Sequence, residues 1–207
     1  MNEKLEKEHI QEQITEELRP LLDNLLSKKA DYKLFKKSYK HFQREFNKAL
    51  KYAKQFAQYT ERYASDVPPS LKDTVYALFS HVVLVESLGR SLLDMIVILL
   101  VANGKNLHIN KGRGTGHVNK IGELHNVSQG IKIFFLKDNG ITKLTKFVNA
   151  DLRNKISHLD FEFSEDNIYI DGKPSHRIAT ASSNRLVWAV LHTRSLLDKL
   201  AKSKGSK

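Results

Sequence analysis

Apolar residues recur every three or four positions along most of this chain, which is the spacing of one face of an α-helix. Residues 3–29 predict a first helix that ends or kinks at Pro20, because proline lacks an amide hydrogen and clashes with the preceding turn. Residues 31–65 carry the clearest periodicity, typical of a coiled-coil-like seam. The seam consists of Phe35, Tyr39, Phe42, Phe46, Ala49, Ala53, Phe56, Thr60 and Tyr63.

This second helix leaves two interpretations open. Its aromatic stripe is typical of a surface buried against another helix, and the alternative is a platform on which single-stranded nucleic acid stacks. The basic residues between the aromatic ones form either a solvated face or a surface that contacts RNA phosphates. They are Lys33, Lys36, Lys37, Lys40, Arg44, Lys48, Lys51 and Lys54.

A helix break falls at residues 67–70, because the residue before each proline is driven out of the helical region. Residues 71–103 then predict a long, mostly apolar core helix that ends at Gly104. Its unbroken apolar run, residues 95–102, is too short to span a bilayer. We therefore predict an N-terminal helical, coiled-coil-like extension over residues 1–66, a helical domain over 71–201 and a frayed basic tail over 202–207.

The segment 105–126 is rich in glycine and basic residues and predicts a mobile loop, with a short helix over 121–136. It matches neither a phosphate-binding loop nor a dinucleotide fingerprint. Long loops in compact domains are often functional, so the segment either contacts RNA or is simply irregular. The candidates for RNA contacts are Lys111, Arg113, His117 and Lys120. The histidines here lack metal-ligand spacing, and we expect no metal and no cofactor.

The stretch Asp151–Phe161 is the one place that has the character of a chemical site. An apolar stripe predicts one helix from Gly140 onward, with Arg153, Asn154 and His158 projecting away from it. The stripe consists of Leu144, Val148, Leu152, Ile156 and Leu159. After it, alternating residues and the turn signal Asp171-Gly172 predict a small β-hairpin, and Ser182 or Ser183 is the predicted N-cap of the last helix.

Composition changes this picture in two respects. The chain has 207 residues and a formal net charge of +11, which favours polyanionic partners because cations that neutralise phosphates release counterions. It contains no cysteine, which excludes disulfides and Cys-based zinc sites, and its charged N-terminus does not match a secretory signal. We expect a cytoplasmic protein that does not associate with membranes.

The pattern of Arg153, Asn154 and His158 near the end of a late helix resembles the Arg-x4-6-His motif of the HEPN superfamily. Active members of that superfamily are metal-independent ribonucleases of toxin–antitoxin, phage-defence and CRISPR systems. The resemblance covers about residues 74–200 and includes the polar residue after the arginine and the hairpin after the motif helix. It implies an all-α, HEPN-like helical bundle, here with an N-terminal long-helix extension. Asp160 stands where some HEPN toxins carry a tyrosine that a nucleotidyltransferase antitoxin modifies, which argues against that form of control.

The resemblance also implies roles for individual residues. Arg153 would stabilise the phosphorane, His158 would act as acid or base, and Asn154 would orient the histidine or the phosphate. Glu86 lies on the long apolar helix with Arg90 and Asp94 at i,i+4 spacing. This row is either paired internally, or Glu86 reaches Arg153 as an acidic residue on an earlier helix does in several HEPN proteins. The predicted RNA-binding residues are Arg90, Lys111, Arg113, Lys120 and Lys155.

These expectations combine into an endoribonuclease that leaves 2′,3′-cyclic phosphate ends and serves as a toxin or phage-defence effector. Because the chain has one motif and the reaction benefits from both an acid and a base, we expect a homodimer that joins two motifs. A cognate antitoxin or another regulatory protein is a further expected partner. The alternatives are a catalytically inactive HEPN-type scaffold that binds RNA or protein, and a structural coiled-coil adaptor.

Overall fold

The structure, a computed structural model, describes residues 2–63, 69–110, 117–164 and 167–203. In these ranges the protein is mostly helical, as predicted. The helices are α1 Glu3–Leu26, α2 Tyr32–Tyr63, α3 Pro69–Leu84, α4 Arg90–Ala102, α5 Gln129–Asp138, α6 Ala150–Ser157 and α7 Ser175–Ser203. A π-helical turn, Val85–Gly89, joins α3 to α4, and 3-10 helices lie at Ile121–Asn126 and Leu144–Phe147.

Two small antiparallel sheets accompany the helices. Strands β1 (Ile109–Asn110) and β2 (His117–Val118) pair with each other, so part of the segment predicted as a mobile loop has regular structure. The predicted hairpin after α6 is confirmed by β3 (Glu162–Phe163) and β4 (Ile168–Ile170). A third strand, β5 (Lys173–Pro174), follows a turn at Asp171 and Gly172, both with positive φ. This turn was also predicted.

One hydrophobic core holds most of the helices together. Helix α1 packs on α7, α2 on α4, and α3 on α7, and a single cluster of buried side chains runs from Ile10 in α1 to Leu200 in α7. Helices on both sides of the predicted break at residues 67–70 thus contribute to it, although Pro69 and Ser70 already belong to α3. The division into an extension and a domain stays a prediction.

The aromatic stripe of α2 belongs to this core. Phe35 and Phe46 are fully buried, and Tyr39 and Phe42 are nearly so, which confirms the packing interpretation for these four residues and makes the stacking platform wrong for them. The basic residues of α2 are exposed to solvent along the same helix. The predicted seam residues Ala53, Thr60 and Tyr63 have side chains outside the described set.

Helix α1, Glu3–Leu26, agrees closely with the predicted helix over 3–29, and only the prediction that it ends at Pro20 is wrong. The helix continues past Pro20 because Leu18 and Leu25 on either side of it are fully buried against the rest of the core.

Two predicted boundaries further along the chain are wrong for identifiable reasons. Helix α7 begins at Ser175 rather than at Ser182 or Ser183, since Ala179 extends its buried face towards the sheet. The predicted helix over 121–136 is a 3-10 helix and α5, separated by the N-cap Ser128.

The helix predicted from Gly140 to Leu159 is also wrong, since it divides into a 3-10 helix and α6. The Glu17 carboxylate of α1 accepts the backbone N–H groups of Thr142, Lys143 and Leu144 at 2.6, 2.7 and 2.7 Å, which holds this segment against α1. Asn149 then starts α6 as an N-cap, accepting from Leu152 N at 3.1 Å.

No helix within the described ranges is long and apolar enough to cross a bilayer.

Candidate functional site

Helix α6 carries the motif on a short, well-anchored scaffold of eight residues. Its Leu152 and Ile156 are buried in a second, smaller hydrophobic cluster that also includes Leu78 of α3, Ile168 of β4 and Ala179 of α7. Arg153 and Asn154 lie off this buried face, as the helical spacing predicts.

The C-terminus of α6 places His158 at the surface. His158 is the C-cap and is exposed. The N–H of Leu159 donates to Ile156 O at 3.2 Å and that of Asp160 to Lys155 O at 2.8 Å, which is the Schellman arrangement. Leu159 has φ +57 and is 71% exposed, so the prediction that it continues the apolar stripe is wrong.

Glu86 reaches the motif helix. Its Oε1 contacts Nη2 of Arg153 in an ion pair, and Nη1 of Arg153 donates to Asn154 Oδ1 at 2.6 Å. Glu86 Oε2 also lies 3.6 Å from Nη2 of Arg90, one turn further along the same chain segment. Both sequence interpretations of the charged row therefore hold in part, since Glu86 pairs within its own row and across to α6.

The π-helical turn gives Glu86 its position. Such turns widen the helix and free a backbone carbonyl, and they are frequent at functional sites. Here the buried Gln129 of α5 donates to the Val85 carbonyl at 2.9 Å and approaches Glu86 Oε2 at 3.5 Å. Gly89 ends the turn, and a Cβ there would lie 3.2 Å from Val148. The sequence pattern did not identify Gln129 or this turn.

Asp94, the third member of the row, has a different partner. Its Oδ1 accepts from Nζ of Lys132 on α5 at 2.5 Å, and the Lys132 side chain is fully buried. Burial lowers the pKa of Lys132 and raises that of Asp94, and the attraction between the two charges opposes both changes. A lysine within the apolar segment 131–136 was the signal from which a buried partner for Asp94 could have been inferred.

His81 lies buried between α7 and the start of α6. The imidazole is fully buried, its Nδ1 lies 3.2 Å from Ser183 Oγ on α7, and the ring is close to the backbone of Asn149, the N-cap of α6. Burial lowers the pKa of His81 to about 4. His81 is therefore a neutral histidine of the protein interior, next to the start of α6.

The predicted RNA-binding residues are not all brought together. Arg90 lies next to Glu86, whereas Nζ of Lys155 is held by both carboxylate oxygens of Asp171 at 2.6 Å. This ion pair raises the pKa of Lys155. Lys120 is exposed before the 3-10 helix Ile121–Asn126. Lys111 and Arg113 lie outside the described residues, as does the side chain of His117.

Among the residues that the structure describes, no group of three or more His, Asp or Glu side chains is arranged to hold a metal ion. The chemistry that these side chains offer is that of a guanidinium held by a carboxylate and an amide, on a helix whose C-cap is an exposed imidazole. A guanidinium of this kind binds phosphate oxygens through charge-assisted hydrogen bonds, and an imidazole transfers protons near neutral pH.

Comparison of the chain with protein-family models, with curated proteins and with solved structures finds no match.

Proposed function

We propose that this protein is a metal-independent endoribonuclease of the HEPN type, with an HEPN-like helical bundle as its fold. The observation that supports this most is the ion pair between Glu86 and Arg153, beside Asn154 and on the helix that His158 caps. An arginine, a polar neighbour, a histidine and an acidic residue from an earlier helix are the set that the resemblance implies. The net charge of +11 is consistent with a polyanionic substrate.

In the proposed reaction the ribose 2′-oxygen attacks the adjacent phosphorus, a 2′-O–P bond forms, and the P–O5′ bond breaks. A base accepts the 2′ proton, and an acid protonates the leaving 5′-oxygen. His158 performs one of these two steps, and Arg153 stabilises the charged phosphorane. Glu86 and Asn154 hold the guanidinium in place. The products are a 2′,3′-cyclic phosphate and a 5′-hydroxyl.

One chain supplies one imidazole for two proton transfers, so the active form is a homodimer in which two motifs face each other. The exposed apolar side chains next to His158 support an interface there: Leu159 and Phe163 are both 71% exposed, and Phe161 packs edge-on against Phe163. By resemblance, the enzyme is a cytoplasmic toxin or phage-defence effector under the control of a cognate antitoxin or other regulatory protein.

A catalytically inactive scaffold that binds RNA or protein is the second candidate. The pairing of Arg153 with Glu86 favours it, because a guanidinium that is already neutralised has less attraction for a phosphate. A guanidinium has five N–H donors, however, and those not used by Glu86 and Asn154 remain for a substrate.

The test is incubation of purified protein with single-stranded RNA in EDTA, followed by analysis of the RNA ends. We expect wild type to leave cyclic phosphates. Arg153→Ala should lower the rate by about 100-fold or more, and His158→Ala by a similar factor. Arg177→Ala on α7 and His9→Ala on α1 are matched controls, and they should cleave at the wild-type rate.

Each contrary result removes a specific part of the proposal. RNA binding without cleavage by wild type would establish the scaffold instead, and cleavage that EDTA abolishes would indicate a metal enzyme. Cleavage that survives in both motif variants would reject the assigned residues. Cleavage by a species that is monomeric in sedimentation would reject the two-motif active site.

A further inference from the structure

Helix α5 contacts both ends of the charged row with one buried face. Gln129 and Lys132 are three residues apart and share this face. The Gln129 amide donates to the Val85 carbonyl at 2.9 Å, directly before Glu86, and Nζ of Lys132 donates to Asp94 Oδ1 at 2.5 Å. Both acidic ends of the row are thus engaged by a short helix that lies outside it.

Arg90, in the middle of the row, has two carboxylates within helical reach. It lies four residues after Glu86 and four residues before Asp94. Its contact with Glu86 crosses the π-helical turn and, at 3.6 Å, is long for an ion pair. Arg90 and Asp94, by contrast, both belong to the regular helix α4. If Asp94 had no other partner, Arg90 would therefore bind it.

Both side chains have room to form that pair. Arg90 and Asp94 line a cleft of about 660 Å³ between α2 and α4, and their side chains are 41% and 26% exposed. Glu45 of α2 also lines the cleft, but its Oε1 is 2.7 Å from Nζ of Lys48 and is thus already paired. The choice of partner for Arg90 lies within its own row.

Lys132 determines this choice because it binds Asp94. Among the described residues, Arg153, Arg90 and Lys132 share the carboxylates of Glu86 and Asp94, so the network has one net positive charge. We propose that Lys132 is a positioning residue, which binds Asp94 and thereby keeps Arg90 on Glu86 and the net positive charge beside Arg153.

Loss of Lys132 would change the charge that a substrate meets. Arg90 would move to Asp94, Glu86 would pair with Arg153 alone, and the two pairs would be neutral. Phosphate oxygens would then be attracted less strongly to Arg153. The effect on RNA cleavage rests on the proposed function, whereas the effect on the partner of Arg90 does not.

The partner of Arg90 is measured by NMR of its Nε–H group in protein made with isotope-labelled arginine, and Arg90→Lys identifies the signal. We expect Lys132→Met to shift this signal, because Arg90 moves to the unpaired Asp94. The double variant Lys132→Met/Asp94→Leu should return it close to its wild-type position, since the competing carboxylate is gone. Lys137→Met, which removes an exposed lysine from the same helix, is the control and should leave the signal in place.

Two results of this measurement would overturn the proposal. An Arg90 signal that does not move in Lys132→Met would show that Arg90 keeps its partner without the lysine. A signal that stays displaced in the double variant would show that it responds to the lost charge of Lys132 and not to capture by Asp94.

Cleavage of RNA tests the consequence for the site. Lys132→Met should lower kcat/KM about tenfold, mainly through a higher KM, and the double variant should restore it to within about twofold of wild type. In an Arg90→Gln background, Lys132→Met should change kcat/KM by less than about twofold, because its effect passes through Arg90. An equal loss in both backgrounds would contradict the positioning role.

All rates are compared at a temperature at which thermal unfolding shows each variant to be folded, because an unpaired Asp94 lowers stability. If wild type does not cleave RNA, the ribonuclease is rejected and the Arg90 signal still decides the role of Lys132. If wild type and Lys132→Met cleave RNA equally, the positioning role is rejected and the ribonuclease stands.

Discussion

At the scale of single residues, a few buried polar side chains decide how the exposed ones are presented. Gln129 holds the turn that carries Glu86, and His81 is buried between Ser183 of α7 and the N-cap of α6. Neither contributes a group to the proposed reaction. A substitution at either position acts by moving Glu86 or Arg153, and effects of this kind are larger than the lost hydrogen bond alone.

The buried His81 makes the free energy of unfolding depend on pH. Its folded-state pKa of about 4 lies below the ordinary value of 6.5, so between these two pH values the unfolded chain binds more protons than the folded one. Stability contributed by neutral His81 is complete above about pH 6.5 and is lost as the pH falls towards 4. The size of this loss is at most about 3 kcal/mol.

We therefore expect His81→Leu to show a smaller drop in the free energy of unfolding from about pH 7 to about pH 4.5 than wild type does. Urea denaturation at the two pH values measures this, with His9→Leu on the exposed face of α1 as the control that keeps the wild-type drop. If His81→Leu and wild type lose stability equally, His81 does not titrate as its burial implies.

At the scale of elements, the end of α6 has a leucine where the backbone favours glycine. Leu159 adopts φ +57 as the C′ residue of the Schellman arrangement, in which a side chain with a Cβ costs about 1 kcal/mol. Its side chain is mostly exposed and contributes little to the core. The strain is therefore retained at the residue next to His158.

Replacement of this leucine separates backbone strain from side-chain contacts. We expect Leu159→Gly to unfold with a free energy about 1 kcal/mol higher than Leu159→Ala, because both remove the side chain and only glycine relieves the positive φ. Thermal and urea denaturation of the purified variants measure the difference. A glycine variant no more stable than the alanine variant would show that the residue leaves this conformation at little cost.

At the scale of the whole molecule, positive charge is concentrated along α2. Its buried stripe faces the core, so its basic residues occupy the exposed side, and the same helix supplies Ser38 and His41 to the cleft beside Arg90. Lysines that contact phosphates of a single strand each add about 0.7 to the slope of log affinity against log salt. Lysines that are merely solvated add nothing.

We expect Lys36, Lys37 and Lys40, replaced together by glutamine, to reduce the magnitude of the salt slope for single-stranded RNA by about 2. The control replaces Lys105, Lys137 and Lys146, which are also exposed, and removes the same charge. It should reduce the slope by less than about 1, measured by fluorescence anisotropy between about 50 and about 200 mM salt. Equal reductions would mean that RNA responds to net charge and not to α2.

The sequence by itself determined most of the helical segments and the buried faces of the long helices, because an amphipathic helix repeats its apolar residues at a regular spacing along the chain. The stripe of α2 from Phe35 to Ala49, the apolar α4, the stop at Gly104 and the turn at Asp171-Gly172 were all predicted from sequence patterns and are confirmed. The HEPN identity, the dimer and the catalytic roles stay predictions, since they depend on a substrate and on a second chain.

Only the tertiary structure decided where several of these helices end and which partners their charged side chains bind. Glu17, which lies more than a hundred residues earlier in the chain, binds the segment at which the predicted motif helix is interrupted. Lys132 rather than Arg90 is the close partner of Asp94. Such contacts join residues with no regular spacing in sequence, and their strength comes from burial, which a local pattern does not contain. The sequence left open whether Glu86 pairs within its own row or with Arg153, and the structure contains both pairings, because α6 packs close to the π-helical turn that carries Glu86.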